Sequence, residues 1–323
     1  MNTYRSEVVD LLDPFSTLTQ QGWSDRPVWR YRSEELKKRA PQFKTWNIFS
    51  INMPKHDLYI HVTYRRRRYQ MIYSLVIFDT KNHSFSSEIG HSRIRLGQSK
   101  VINYYQDFAT AQATKNLRVA FSKRSHKRRL LVGSPDITLH DGVTNFNCDI
   151  SLHQNKSLET FHCARTLQKG TKQFTLKETL LPLSVEGSFT FGEKPITLLE
   201  HDALASLHWG FGKMPHSFHQ GIITAYGLID SHLGGFSFDG KHFACIYNNK
   251  LYHKEGVILD GHRLVSSELS LAMNPIRERR ISKRIFFKKH KEKHSLVSFT
   301  GHINLDDETR LEINDMVGSL IEI

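Results

Sequence analysis

The chain has 323 residues, a formal net charge of +13 from 45 Lys and Arg against 32 Asp and Glu, and a mean hydropathy of −0.44. Its apolar runs, such as 73–78, fall far short of the ~20 residues of a membrane-spanning helix, and its opening MNTYRSEVVDLLDPF lacks the apolar core of a secretory signal. Its three cysteines, Cys148, Cys163 and Cys245, are odd in number and form no C-x-x-C, which argues against a disulfide framework or zinc knuckle and points to a reducing, cytoplasmic setting.

Residues 1–30 are polar and aromatic, with Trp23 and Trp29 bracketing Arg26-Pro27. Ser33 to Ala40 predicts one short N-terminal helix: Ser33 as N-cap, acids first, bases last, and Pro41 as the stop. From Lys44 onward the period is two. Leu58, Ile60, Val62 and Tyr64 mark one strand and 71–78 a second, with Arg65 to Arg68 as their connector. Ile94 and Leu96, then Leu117, Val119 and Phe121, continue the alternation. Tyr105 to Asn116 is open between helix and loop. Strands follow at 130–132, 137–139, 146–152 and 158–163, with an Asp141-Gly142 turn between the second and third. A polar stretch near residue 170 suggests two domains, 1–170 and 171–323. Beyond it come 174–180 and 185–191, separated at Pro182, and 196–199.

The stretch Ser206 to Gly240 is the densest in glycine, aromatic and histidine residues and predicts the middle of the fold. Past it, Asn248-Asn249 and Asp260-Gly261 read as tight hairpin turns, and Asp306-Asp307-Glu308 joins a last hairpin. Many short strands at 8–12-residue spacing predict an all-β protein of barrels or sandwiches.

Candidate chemistry concentrates in that central stretch. Trp209, Phe211, Met214, Phe218 and Tyr226, with Trp46, supply apolar rings for a ligand cavity; His208, His216 and His219 supply polar contacts. Core packing is the plainer reading of the same rings. His290 and His294 have metal-like spacing, but Lys288, Lys289, Lys291 and Lys293 beside them repel a cation; no metal or cofactor motif is present. The basic runs Arg65–Arg68, Lys123–Arg129, Arg277–Arg284 and Lys288–Lys293 suit an anionic surface, though each falls near a predicted hairpin end, where charge is ordinary. No zinc finger, helix-turn-helix or RRM signature marks specific nucleic-acid binding.

Three blocks, in order, carry a family likeness. They are Gly22-Trp23 with Arg26-Pro27 and Lys44-Thr45-Trp46-Asn47; Leu207-His208-Trp209-Gly210-Phe211-Gly212 with Gly235-Phe236-Ser237 and Tyr252-His253-Lys254; and Phe299-Thr300-Gly301-His302-Ile303 with Leu305-Asp306-Asp307 and Met316-Val317-Gly318. Together they resemble the bacterial domain of unknown function 2804 family. The resemblance implies two lipocalin-like β-barrel or β-sandwich halves, similar in architecture to carotenoid hydratases and tocopherol cyclases. That family's pattern has an acid where His208 stands and an Arg where Phe211 stands; this chain departs at both, so no catalytic role is carried over. The expected function is binding of a small apolar or lipid-like molecule in a cavity between the halves. Its alternatives are a hydratase, isomerase or cyclase on that cavity, and a module for polyanions or anionic membrane surfaces.

Overall fold

The computed structural model describes residues 3–32, 44–67, 70–93, 105–139, 142–166, 172–199, 202–212, 221–285 and 288–322, with backbone alone at 67, 194, 285 and 288. The strands in chain order are β1 (Val9–Asp10), β2 (Gly22–Ser24), β3 (Trp29–Arg30), β4 (Lys44–Met53), β5 (Leu58–Arg67), β6 (Gln70–Asp79), β7 (Ser84–Arg93) and β8 (Phe108–Ala113). Then come β9 (Arg118–Arg124), β10 (Lys127–Thr138), β11 (Thr144–His153), β12 (Phe161–Thr166), β13 (Phe174–Phe191), β14 (Lys194–Leu198), β15 (Leu204–Gly212) and β16 (Ile222–Ile229). The last are β17 (His232–Phe238), β18 (Phe243–Tyr247), β19 (Lys250–Lys254), β20 (Ile258–Asp260), β21 (Arg263–Val265), β22 (Leu269–Ile285), β23 (Lys288–Asn304) and β24 (Arg310–Glu322). Among the described residues the one helical segment is a 3-10 turn, Pro54–His56.

These strands make two large antiparallel sheets beside the small parallel pair β1–β3. The first runs β7-β6-β5-β4-β15-β13-β11-β10-β9-β8, with β2, β12 and β14 alongside; the second runs β19-β18-β17-β16-β24-β23-β22-β21-β20. The first curls until its ends meet: Ser92 of β7 donates to Gln112 of β8, and the Thr138 N–H of β10 donates to Ser86 of β7 at 3.1 Å. Each curled sheet is filled by the apolar side chains of its inner face, the usual interior of a small barrel. Phe49, Phe121, Leu176 and Phe211 are buried in the first, and Phe236, Phe243, Phe299 and Leu311 in the second.

Several expectations need correction. Arg65 to Arg67 belong to β5 rather than to a connector, and Arg65 and Arg66 are buried. Tyr105 to Asn116 contains a strand, β8. The segments 130–132 and 137–139 form one strand, β10, with an irregularity between Ser134 and Thr138. Pro182 does not end its strand: β13 runs on for 18 residues through a bulge between Leu180 and Leu183, where the Leu181-Pro182 bond is cis. A bulge spares the ladder the N–H that proline lacks. The expected turns at Asn248-Asn249 and Asp260-Gly261 are present, with φ of 49° and 66° at the two asparagines and 55° at Gly261. Ser33–Ala40 and Ile94–Leu96 lie outside the described residues.

The strands flanking residue 170, β12 and β13, pair within the first sheet. The change of sheet comes between β15 and β16. There the sheets face one another: Trp46 and Ile48 pack on Ile222 and Ile321, and Tyr59, Val76 and Phe78 on Ile281 and Leu296. Polar contacts accompany them, including the Tyr226 hydroxyl donating to the Ser50 carbonyl at 2.7 Å.

Candidate functional site

The β13–β15 pair presents different chemistry on its two faces. In its register Thr179 lies opposite His208, Glu178 opposite Trp209 and Lys177 opposite Gly210. Side chains alternate along a strand, so Lys177, Thr179 and His208 face the second sheet while Glu178, Trp209 and Phe211 face the first barrel's interior. Trp46 of β4 lies opposite Gly210 and also faces the second sheet. A Cβ on Gly210 would come within 2.3 Å of the Trp46 ring and 2.7 Å of the Leu176 carbonyl, so only glycine fits.

Between the sheets lies a narrow crevice lined by Trp46, Phe161, Lys177, His208, Asp239 and His242. It leaves about 10 Å³, room for about one water. The Lys177 ammonium donates to Asp239, whose other oxygen accepts the backbone N–H groups of Lys241 and His242 at 3.2 and 2.9 Å. Burial pulls Lys177 down to about 7, with Arg165 and Lys241 also opposing its charge. The Phe161 ring lies 5.3 Å from its nitrogen. His208 spans the sheets, Nδ1 to the Thr179 hydroxyl at 3.0 Å and Nε2 to the Thr224 hydroxyl at 2.8 Å. Burial, then Lys177, lowers His208 to about 3, so its ring is neutral and one nitrogen donates while the other accepts. His242 extends the cluster, with Nε2 3.7 Å from the Cys163 sulfur and Nδ1 3.3 Å from His253 Nε2. Burial keeps His253 near 4 and pushes the Cys163 thiol up. That thiol is free and buried, the setting of an unreactive cysteine.

Inside the first barrel Glu178 accepts the Trp209 indole N–H and lies 3.5 Å from His162 Nε2, which also meets the Thr160 hydroxyl at 2.6 Å. The buried Arg128 guanidinium acts on the same carboxylate through space. A second buried hub ties β5 to β23. Glu292 takes Arg65, His290 at 3.0 Å, His294 at 2.7 Å and Ser74 at 2.7 Å, and His294 touches His61 ring to ring at 3.1 Å. Burial pushes Glu292 up, but Arg65 and the two histidines more than reverse it and hold it well below the carboxylate range. No metal-binding cluster occurs among the described residues.

Of the expected site residues, His208 and Trp46 come together at the crevice. Tyr226 faces the first sheet farther along, bonded to Ser50. Trp209 and Phe211 turn to the other side of β15, Phe211 against Tyr31 at 4.9 Å. Met214, His216, Phe218 and His219 lie outside the described residues. Lys177, Glu178, Asp239, His242 and Cys163 were missed. The available signal was Lys177-Glu178, two opposite charges inside the otherwise uncharged strand run FTLKETLL.

Two filled, curled antiparallel sheets with a polar crevice between them define a two-barrel, lipocalin-like protein. The chain belongs to the DUF2804 family, a domain of unknown function whose model matches residues 3–264. No curated protein matches it. Among solved structures it is similar to an AttH-type protein from Nitrosomonas europaea, with a TM-score of 0.55 and 11% identity over 87% of this chain and 92% of that one. It is also similar to kievitone hydratase from Nectria haematococca, with a TM-score of 0.50 and 10% identity over 86% and 88% of the two chains. No helix among the described residues is long and apolar enough to cross a membrane.

Proposed function

We propose that this protein transfers protons to or from a small, largely apolar molecule at the crevice between its sheets, as a hydratase or isomerase does. One observation carries the reading: Lys177 and Asp239 are buried as a pair among the rings of Trp46 and Phe161, next to a neutral His208. Buried ion pairs add little stability over apolar packing, and titratable groups gathered in a crevice are the usual setting of acid–base chemistry. Lys177, whose charge burial disfavours, carries the proton; Asp239 orients its ammonium; His208 contributes a fixed donor and acceptor. Apolar rings select the substrate. The crevice leaves only about 10 Å³, so binding parts the Lys177–Asp239 contact. The similarity to a hydratase supports the fold and raises this reaction class; it does not choose the substrate.

The test uses farnesol, β-ionone and oleic acid as probes, with binding read from tryptophan fluorescence. Products are sought by mass spectrometry in ¹⁸O-labelled and deuterated water. Saturable binding with a gain of one labelled water, or solvent deuterium at unchanged connectivity, is expected from the wild type, and neither product from Lys177→Met. Turnover unchanged in Lys177→Met and Asp239→Asn overturns the assignment.

A second reading, binding without chemistry, has its own observation. An open hollow of about 530 Å³ lies on the first sheet, where Ala111, Ala120 and Leu131 are bordered by Arg118, Asn147 and Asp149. Its size suits a small apolar ligand. Probe binding that survives Lys177→Met but fails in Ala120→Arg supports this reading instead.

A further inference from the structure

The two members of the Lys177–Asp239 pair are held unequally. Asp239 sits in the turn between β17 and β18, where one carboxylate oxygen accepts the N–H groups of Lys241 and His242 at 3.2 and 2.9 Å, and only the other meets Lys177. Lys177 has no such second hold. Among the described residues Asp239 is the one acid that reaches its ammonium. Its other neighbours are the Phe161 ring at 5.3 Å, the Cys163 thiol opposite it in the β12–β13 register, and Trp46 across the crevice. Glu178, the next residue, turns to the barrel interior and accepts the Trp209 indole N–H. Arg165 stands on the face of β12 that carries Cys163, and Lys241 follows Asp239 in the turn; both oppose the charge of Lys177. A buried charge stripped of its counterion is far less stable than a buried pair. The crevice holds about one water, so a larger ligand parts Lys177 from Asp239. Asp239 then keeps two donors, whereas Lys177 keeps no acid unless the ligand brings one.

We propose that the ligand of this crevice is an apolar carboxylic acid, whose carboxylate takes the place of the Asp239 side chain against the Lys177 ammonium while its chain lies along Trp46, Phe161 and Ile222. This rests on the crevice being the functional site and narrows the class of molecule that enters it. A carboxylate matches the group it displaces in charge, size and hydrogen bonding, and its bond to the ammonium is charge-assisted. An alcohol or ester of the same chain offers a neutral acceptor only and leaves the buried ammonium without a counterion.

The test is equilibrium dialysis of the full chain, near neutral pH, with decanoic acid, decanol, methyl decanoate and decyl phosphate, which share a chain and differ at the head. Decanoate is expected to bind about 100-fold more tightly than the alcohol or the ester. Lys177→Met should erase that preference and bring decanoate down to the alcohol. Asp239→Asn should do the opposite and tighten decanoate, because the group it displaces no longer carries charge while the asparagine Oδ1 still accepts the two N–H groups. Alcohol binding retained in both variants shows that they are folded; should Lys177→Met fail to fold, the wild-type series and Asp239→Asn decide. Equal binding of decanoate and decanol by the wild type, tighter binding of decyl phosphate, a preference for decanoate that persists in Lys177→Met, or weaker decanoate binding in Asp239→Asn overturns the proposal. Proton transfer at the crevice is judged separately, by turnover in the same two variants, so either reading can fail while the other stands.

Discussion

Lys177 and Asp239 depend on each other more than the fold depends on the pair. Truncating one partner leaves a buried charge without its counterion, at a cost of about 3 kcal/mol. Lys177→Met should lower stability by that amount in urea unfolding. Lys177→Met/Asp239→Asn should recover most of it, since the asparagine Oδ1 still accepts the N–H groups of Lys241 and His242. His208 makes a different prediction. Its folded pKa, about 3, lies below the ~6.5 of an exposed histidine. Unfolding therefore takes up a proton across that window, and the stability it confers is intact above pH 6.5 and lost as pH falls toward 3. Between pH 6.5 and 5 the loss from this residue is about 2 kcal/mol. Urea unfolding of His208→Gln at both pH values should show a slope smaller by that amount.

The β4–β15–β13 ladder is where sequence and structure divide. Gly210→Ala should cost about 2 kcal/mol or more, because the added methyl meets the Trp46 ring and a backbone carbonyl that cannot withdraw; thermal unfolding measures it. Alternation exposed strands such as β9 and β11 because one face of each meets a core while the other does not, whereas β5 and β6 are buried on both faces. The hairpin turns were legible in Asn248-Asn249 and Asp260-Gly261 because few residues tolerate their positive φ. The crevice was not legible. Lys177 meets Asp239 across 62 residues and His61 meets His294 across 233, and spacing within one strand says nothing of which strand faces it. The central aromatic run misled for a related reason. His208 and Trp209 are neighbours in sequence, so they point to opposite faces and cannot line one wall. Arg65 and Arg66 read as a polar connector because four arginines in a row ordinarily face water; the buried Glu292 explains the burial of Arg65.

At the scale of the molecule, the sheets are joined by apolar clusters, by His208 and by the Glu292 hub, so they are expected to unfold together. All four tryptophans, Trp23, Trp29, Trp46 and Trp209, lie in or beside the first sheet, and Trp46 and Trp23 also touch the second at Ile222, Ile321 and His253, so fluorescence reports on the first sheet and the joint while circular dichroism reports on both sheets. Coincident urea transitions by the two probes are predicted; a separate second transition would show that the joint is weaker than its contacts suggest. The order of strands also bears on how the chain is made. β4 pairs on one side with β5, close in sequence, and on the other with β15, about 160 residues later. At ordinary rates of synthesis that is roughly 10–30 s during which the β4 edge has emerged and its partner has not. An open edge in a half-made sheet is a template for pairing with other nascent chains. Soluble yield should therefore depend on the crowding of ribosomes along the message and on chaperones that cover β4, until Gly212 clears the exit tunnel and the edge closes.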